Sequence, residues 1–97
     1  MAYDPGAIDA SLAAALGEDS VLIAELRAAF VESAARACAG LQAAEDAPGW
    51  RAAALRLKGL AASFGAVRLM AIASEAAEAE PHDPRITDRV VRAVARL

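Results

Sequence analysis

The sequence predicts an all-α protein that forms a single domain. Alanine, which favours helix more than any other residue, recurs throughout the 97 residues. Runs of the β-branched and aromatic residues that strands prefer are nearly missing, and aromatic residues make up only 4% of the chain. Hydrophobic residues account for 58%, which is enough for a core of small aliphatic side chains. This length suits one domain, so we assign residues 1–97 to a single helical bundle.

Charge and composition argue against several classes of function. The net charge is −3, so the chain lacks the basic field that collects phosphate backbones, and we expect no nucleic-acid partner. Cys38 and His82 are the only residues of their types, so we expect no internal disulfide, no metal and no cofactor. No apolar stretch approaches the roughly 18 residues of a membrane span. Asp4 stands where a signal peptide would be positively charged, which favours a cytoplasmic protein. The alanine and arginine bias favours a GC-rich bacterial genome.

Capping residues mark the predicted helices in the first half of the chain. Asp4-Pro5 predicts the start of a short first helix and Gly17 its end, because aspartate caps helix N-termini and proline suits the first turn. Its apolar positions are Ile8, Leu12, Ala15 and Leu16. Asp19 or Ser20 caps a second helix, whose apolar stripe consists of Ile23, Leu26, Phe30, Ala34, Ala37 and Leu41.

Three further helices are predicted in the second half. Asp46-Ala47-Pro48 begins the third, which ends at Gly65, and a fourth follows almost without a linker. The fourth carries the stripe Leu69, Ile72, Ala73 and Ala76. The segment 81–84 ends it and caps a fifth, with Ile86, Val90, Ala93, Val94 and Leu97 on one side. Because the connections are short, sequential helices should pack antiparallel, as an antiparallel four-helix bundle with a short extra N-terminal helix.

The third helix carries an unusual outer face. If Leu57 centres the buried face, an advance of about 100° per residue places Leu55 about 160° away, exposed to solvent. The same construction places Trp50, Ala53, Ala61 and Phe64 on the buried side. We call the outer residues the outer-face patch: Arg51, Ala52, Leu55, Lys58, Gly59 and Ala62.

Each member of the outer-face patch has an ordinary explanation. A single exposed leucine is common, and a lysine on an outer face is usually only solvated. A mid-helix glycine such as Gly59 costs about 1 kcal/mol relative to alanine and often relieves tight packing with a neighbouring helix. Together, however, these residues describe a small, flat and weakly cationic surface that the backbone of a partner protein can approach closely.

The same segment resembles a known family. Ala54-Leu55-Arg56-Leu57-Lys58-Gly59-Leu60-Ala61, followed by Phe64-Gly65-Ala66, is similar to the signature of histidine-containing phosphotransfer (HPt) domains. The resemblance extends to Asp4-Pro5, residues 22–26, Phe30 and residues 69–73, and so covers nearly the whole chain. It implies a four-helix bundle whose phosphoacceptor is exposed in the middle of a helix.

The chain departs from the HPt pattern at the acceptor itself. Leu55 stands where the family has its phosphoaccepting histidine, whose imidazole attacks the aspartyl phosphate of a response-regulator receiver domain. By the resemblance, Lys58 would offer positive charge to the phosphoryl oxygens and Gly59 would leave room for the partner. Leucine has no lone pair and cannot accept a phosphoryl group. His82 lies in a proline-bounded turn far along the chain, so we expect an exposed turn residue there and no catalytic residue.

The sequence therefore favours a pseudo-phosphotransfer module of two-component signalling. We expect it to dock through the outer-face patch on a receiver domain or a histidine kinase, in competition with phosphorelay partners or as a scaffold, and not to act as an enzyme. One alternative is a genuine phosphorelay protein in which Leu55 is an engineered replacement of the histidine. Another is a structural bundle that dimerises through Leu55, Ala52 and Ala62, whereas the docking module should be a monomer. Cys38 is expected in the core, and Glu75, Glu78 and Glu80 on a solvated face.

Overall fold

The structure is a computed structural model that describes residues 5–17 and 19–97. Its helices are α1 (Pro5–Leu16), α2 (Ser20–Ala43), α3 (Ala47–Phe64), α4 (Val67–Glu78) and α5 (Pro84–Ala95). No strand occurs within these two ranges, so the predicted all-α class is confirmed. Among the helices that the structure describes, none combines the length and the apolar character needed to cross a bilayer.

Helix termini follow the predicted capping residues. The Asp19 carboxylate accepts a hydrogen bond from the Leu22 amide at the start of α2, and the Asp46 carboxylate accepts one from the Gly49 amide, at 2.7 Å, at the start of α3. Asp83 caps α5 in the same way. Gly65 ends α3 with a φ of 73°, a left-handed conformation that suits glycine because it has no Cβ. The predicted cap Asp4 lies outside the described residues.

The predicted apolar stripes meet in one core. Its largest fully buried side chains are Trp50, Phe30, Ile8, Leu41, Leu57, Leu69 and Val90. The rings of Phe30 and Phe64 stack with their centroids 4.7 Å apart, which joins α2 to the C-terminal half of α3. Small residues such as Ala34, Ala61 and Ala73 are completely buried, and they allow the helices to approach closely.

The first helix differs from the prediction in two respects. With 12 residues, α1 is as long as α4 and α5, so it is not a shorter appendage. Ile8 and Leu12 are buried as predicted, but Ala15 is exposed, because α1 contacts only α2 and α3 and therefore buries a narrow face. The side chain of Leu16 lies outside the described part of the chain.

The helices surround the core in a closed order. Helix α2 contacts α3 and α5, and α4 likewise contacts α3 and α5. Within the described residues, α3 and α5 do not contact each other. These two helices therefore lie on opposite sides of the α2 and α4 pair, and their outer faces point away from each other.

Candidate functional site

Three buried side chains fix the rotation of α3 about its own axis. The Trp50 indole nitrogen donates a hydrogen bond to the Ala76 carbonyl oxygen of α4, at 2.7 Å, in the core. About two and three turns further along, Leu57 and Ala61 are completely buried. Because these residues lie on one side of the helix, the opposite side must face solvent.

The outer-face patch lies on that solvent side. The Leu55 side chain is 42% exposed in the middle of α3, which confirms the exposure predicted for it. Ala52, Gly59 and Ala62 are exposed around it, and Lys58 is half-buried. The structure thus places an apolar side chain among small residues, with a cation one turn away.

No packing contact among the described residues requires a glycine at Gly59. A Cβ built at Gly59 would have no atom within 4 Å other than those of its own turn and chain neighbours. The expectation that Gly59 relieves tight packing with a neighbouring helix is therefore wrong for the described residues, since no neighbour approaches it. The glycine leaves a shallow open area next to Leu55, at a cost of about 1 kcal/mol in helix propensity.

Arg51 takes part in the bundle as well as in the patch. One of its guanidinium nitrogens donates to the Ala77 carbonyl oxygen at 3.1 Å and pairs with the Glu78 carboxylate at 3.0 Å, both at the end of α4. Half of the Arg51 side chain stays exposed, at 52%. Glu78 offsets its charge, so Arg51 serves mainly to join α3 to α4 and contributes less positive charge to the patch than Lys58.

Sequence reasoning missed a cationic cleft beside the outer-face patch. Arg56 and Leu60 of α3 face α2, and with Arg36 they border a cleft of about 320 Å³ that also contacts Ser33 and Ala37. Arg36 pairs with Glu32 at 2.9 Å, whereas Arg56 makes no ion pair with any described residue, so the charge of Arg56 is available to a partner. A helical projection places Arg56 about 100° from Leu57, on the flank of the helix. This flank position is the feature of the sequence from which the cleft could have been predicted.

Helix α2 also has an exposed glycine on the side that borders this cleft. Gly40 follows Ser33 and Arg36 at helical spacing, is exposed, and would leave a Cβ without any contact inside 4 Å. The accessible side of the bundle therefore extends from the outer-face patch across the Arg36 and Arg56 cleft onto α2.

Within the described part of the chain, His82 and Cys38 both lie away from Leu55. His82 is exposed, as predicted, and its Nε2 lies 2.6 Å from the Ala44 carbonyl oxygen, where it ties the loop before α5 to the end of α2. The centroid of its ring lies 5.2 Å from that of Trp50. Trp50 is more than two turns along α3 from Lys58 and Gly59. Burial raises the pKa of the Cys38 thiol, which keeps it protonated and unreactive in the core.

The acidic residues of α4 lie on the surface. Glu75, Glu78 and Glu80 are exposed, as predicted, and the first two pair with Arg89 and Arg51. Among the residues that the structure describes, no group of three or more histidine, cysteine or acidic side chains is placed to hold a metal ion.

Comparison of the chain with protein-family models, with curated proteins and with solved structures finds no match in any of the three. The outer-face patch and the adjoining cleft offer an exposed leucine, an open glycine and, in Lys58 and Arg56, two cations that form no ion pair with a described residue.

Proposed function

We propose that the chain is an HPt-like signalling module that docks on a response-regulator receiver domain, or on a histidine kinase, without carrying phosphate. The observation that supports this most strongly is the pairing of Leu55 with Gly59. Leu55 is exposed at the position where the resemblance puts the phosphoacceptor. Gly59 lies next to it in open space, and no packing contact among the described residues requires a glycine there. The HPt family needs both features, an accessible mid-helix position and room for its partner.

The proposed architecture is an antiparallel four-helix bundle formed by α2 to α5, with α1 packed outside it. Each of these four helices contacts two of the others, and the loops between them are short. In such a bundle a residue in the middle of α3 lies halfway along the side of the molecule, where a globular partner can reach it from several directions.

The electrostatics of the surface favour an acidic partner. Lys58 and Arg56 form no ion pair with a described residue; Arg56 directly follows Leu55, and Lys58 lies about one turn further along α3. Receiver domains present an acidic phosphorylation pocket, by what the resemblance implies, so the charges are complementary. Burial of the exposed part of Leu55 in such an interface would contribute about 1–2 kcal/mol.

The same charges disfavour a symmetric dimer through this face. A two-fold interface centred on Leu55 packs the patches of two copies against each other. Both copies of Lys58 and Arg56 would then lie in one small interface, where like charges repel. The docking proposal therefore accounts for the patch better than the homodimer does, and we propose a monomeric module.

Affinity measurements with purified receiver domains from the same genome test the proposal. We expect Lys58→Glu and Gly59→Arg each to weaken binding about tenfold, because the first reverses a complementary charge and the second blocks close approach. Ala71→Arg is the matched control for Gly59→Arg, since it adds the same side chain at an exposed position on α4. Circular dichroism verifies that all three variants remain helical. Unchanged affinity in both patch variants would place the interface elsewhere and contradict the proposal.

A further inference from the structure

A group of arginines lies away from the outer-face patch, between α4 and α5. Four arginines converge there on a small cleft of about 120 Å³ with an apolar floor. We call it the arginine cleft; its lining residues are Arg68, Ile72, Arg89, Arg92, Ala93 and Arg96. Ile72 and Ala93 are 3% and 4% exposed, so the floor belongs to the core and the guanidinium groups surround it.

The register of α5 concentrates this charge on one face. Its arginines are spaced at i, i+4, i+7 and i+11, which at 100° per residue confines them to an arc of about 60°. They are Arg85, Arg89, Arg92 and Arg96. At a rise of 1.5 Å per residue this row is about 16 Å long, with a guanidinium group on nearly every turn. The apolar residues of α5 occupy the other side and pack against the core.

The chain supplies fewer acids than arginines at this surface. Glu75 pairs with Arg89, and Asp88 pairs with Arg92 at 3.1 Å. Arg68 takes part in an interaction of its own, so the excess of positive charge comes from Arg85 and Arg96, which form no side-chain pair with any described residue. A net positive area therefore exists on a protein whose overall charge is −3. Crowded like charges destabilise the free surface, and an external anion would relieve that repulsion.

We propose that the arginine cleft and the row along α5 bind an acidic segment of a partner protein. Guanidinium groups pair with carboxylates in a planar, two-pronged geometry, and Glu75 and Asp88 already show carboxylates held by this surface. A row of this length matches a few consecutive carboxylate side chains of a peptide. Nucleic acid fits less well, because the rest of the molecule carries an excess of negative charge that repels a long polyanion.

This site is independent of the proposed docking of receiver domains. Because α3 and α5 lie on opposite sides of the bundle, a partner on the outer-face patch leaves the arginine cleft accessible. A module with two separate protein-binding faces can hold two partners at once. The inference therefore adds a scaffolding role that the outer-face patch alone would not provide.

Titration with a short, capped oligoglutamate peptide tests the inference. The amide resonances of the 15N-labelled protein should shift mainly in α5 and the first half of α4, and the affinity should fall with added salt because exposed charges are screened. The double variant Arg92→Gln/Arg96→Gln should bind about fivefold more weakly than the unmodified protein. The control Ala39→Glu/Ala43→Glu lowers the net charge by the same amount at exposed positions of α2 and should retain the affinity.

Three outcomes would overturn the inference. An equal loss of affinity in both double variants would show that the peptide senses only the total charge. Tighter binding to duplex DNA or to phosphatidylserine vesicles than to the peptide would show that the ligand is not an acidic protein segment. Self-association that disappears in Arg92→Gln/Arg96→Gln, measured by sedimentation, would show that the acidic groups belong to a second copy of this chain.

Discussion

The hydrogen bond of the Trp50 indole nitrogen helps to determine which side of α3 is exposed. Its hydrogen bond to the Ala76 carbonyl oxygen is buried and joins α3 to α4 across the core. Together with Leu57 it sets which side of α3 is buried, and hence that Leu55 is exposed. A buried residue thus determines which side chains form the exposed face of α3.

Replacement of this donor should destabilise the protein. Trp50→Phe removes the indole donor and part of the core packing, although the Ala76 carbonyl oxygen keeps the Ala79 amide as a donor, and we expect the free energy of unfolding to fall by about 1–3 kcal/mol. Leu55→Ala is the control, because an exposed side chain contributes little, and its effect should stay within about 0.5 kcal/mol. Urea unfolding followed by far-UV circular dichroism measures both. Similar losses in the two variants would mean that the indole does not anchor α3.

Gly59 offers a second test at the scale of one residue. A Cβ at this position meets open space, so Gly59→Ala should raise the free energy of unfolding by up to about 1 kcal/mol through better helix propensity. The comparison is Gly65→Ala, which should lower it, because Gly65 holds a φ of 73° that alanine disfavours. Thermal unfolding of the two variants provides the measurement. A destabilising Gly59→Ala would indicate a close intramolecular neighbour and would remove the argument that this glycine serves a partner.

At the scale of the element, α3 is defined by its two ends. Asp46 provides the N-terminal cap through the Gly49 amide, and we expect Asp46→Ala to reduce the free energy of unfolding by about 1 kcal/mol. Asp46→Asn keeps an oxygen that accepts the same hydrogen bond and should retain most of the stability. Denaturant titration distinguishes the two variants, and equal losses would assign the effect to charge and not to the cap.

Helix boundaries were predictable because they depend on local chemistry. The side chains of Asp46 and Asp83 accept hydrogen bonds from backbone amides no more than three residues away, and Gly65 ends α3. Each of these residues caps its helix at the position that the sequence predicts. The exposure of Leu55 was predictable as well, since it follows from helical periodicity. Ala54, which is completely buried, was not included in the predicted core, because α3 is covered by α2 on one side and α4 on the other and so buries a wider arc.

At the scale of the whole molecule, the features that sequence reasoning missed all join distant segments. Arg51 contacts Glu78, and His82 contacts Ala44, and neither pairing has a local signal. The cleft at Arg56 needs α2 beside α3, and the arginine cleft needs α4 beside α5. Periodicity gives the face of each helix, but only the packing of the helices determines which faces combine into a surface.

Those combined surfaces are the two proposed binding faces, and they lie on opposite sides of the molecule. The α3 side is open and weakly cationic around an exposed leucine, whereas the α5 side is strongly cationic over an apolar floor. Neither contains a nucleophile among the described residues. The central proposal, that the chain docks on signalling partners without accepting phosphate, depends on the chemistry at position 55.

Transfer of labelled phosphate from phosphorylated receiver domains tests that proposal most directly. We expect the unmodified protein to acquire no label, because Leu55 offers no lone pair and His82 lies at the end of the bundle. Leu55→His should fold normally at this exposed position and gain label that is lost in acid, as phosphohistidine is, with Lys58 close to the phosphoryl oxygens. Acid-labile label on the unmodified protein would contradict the account.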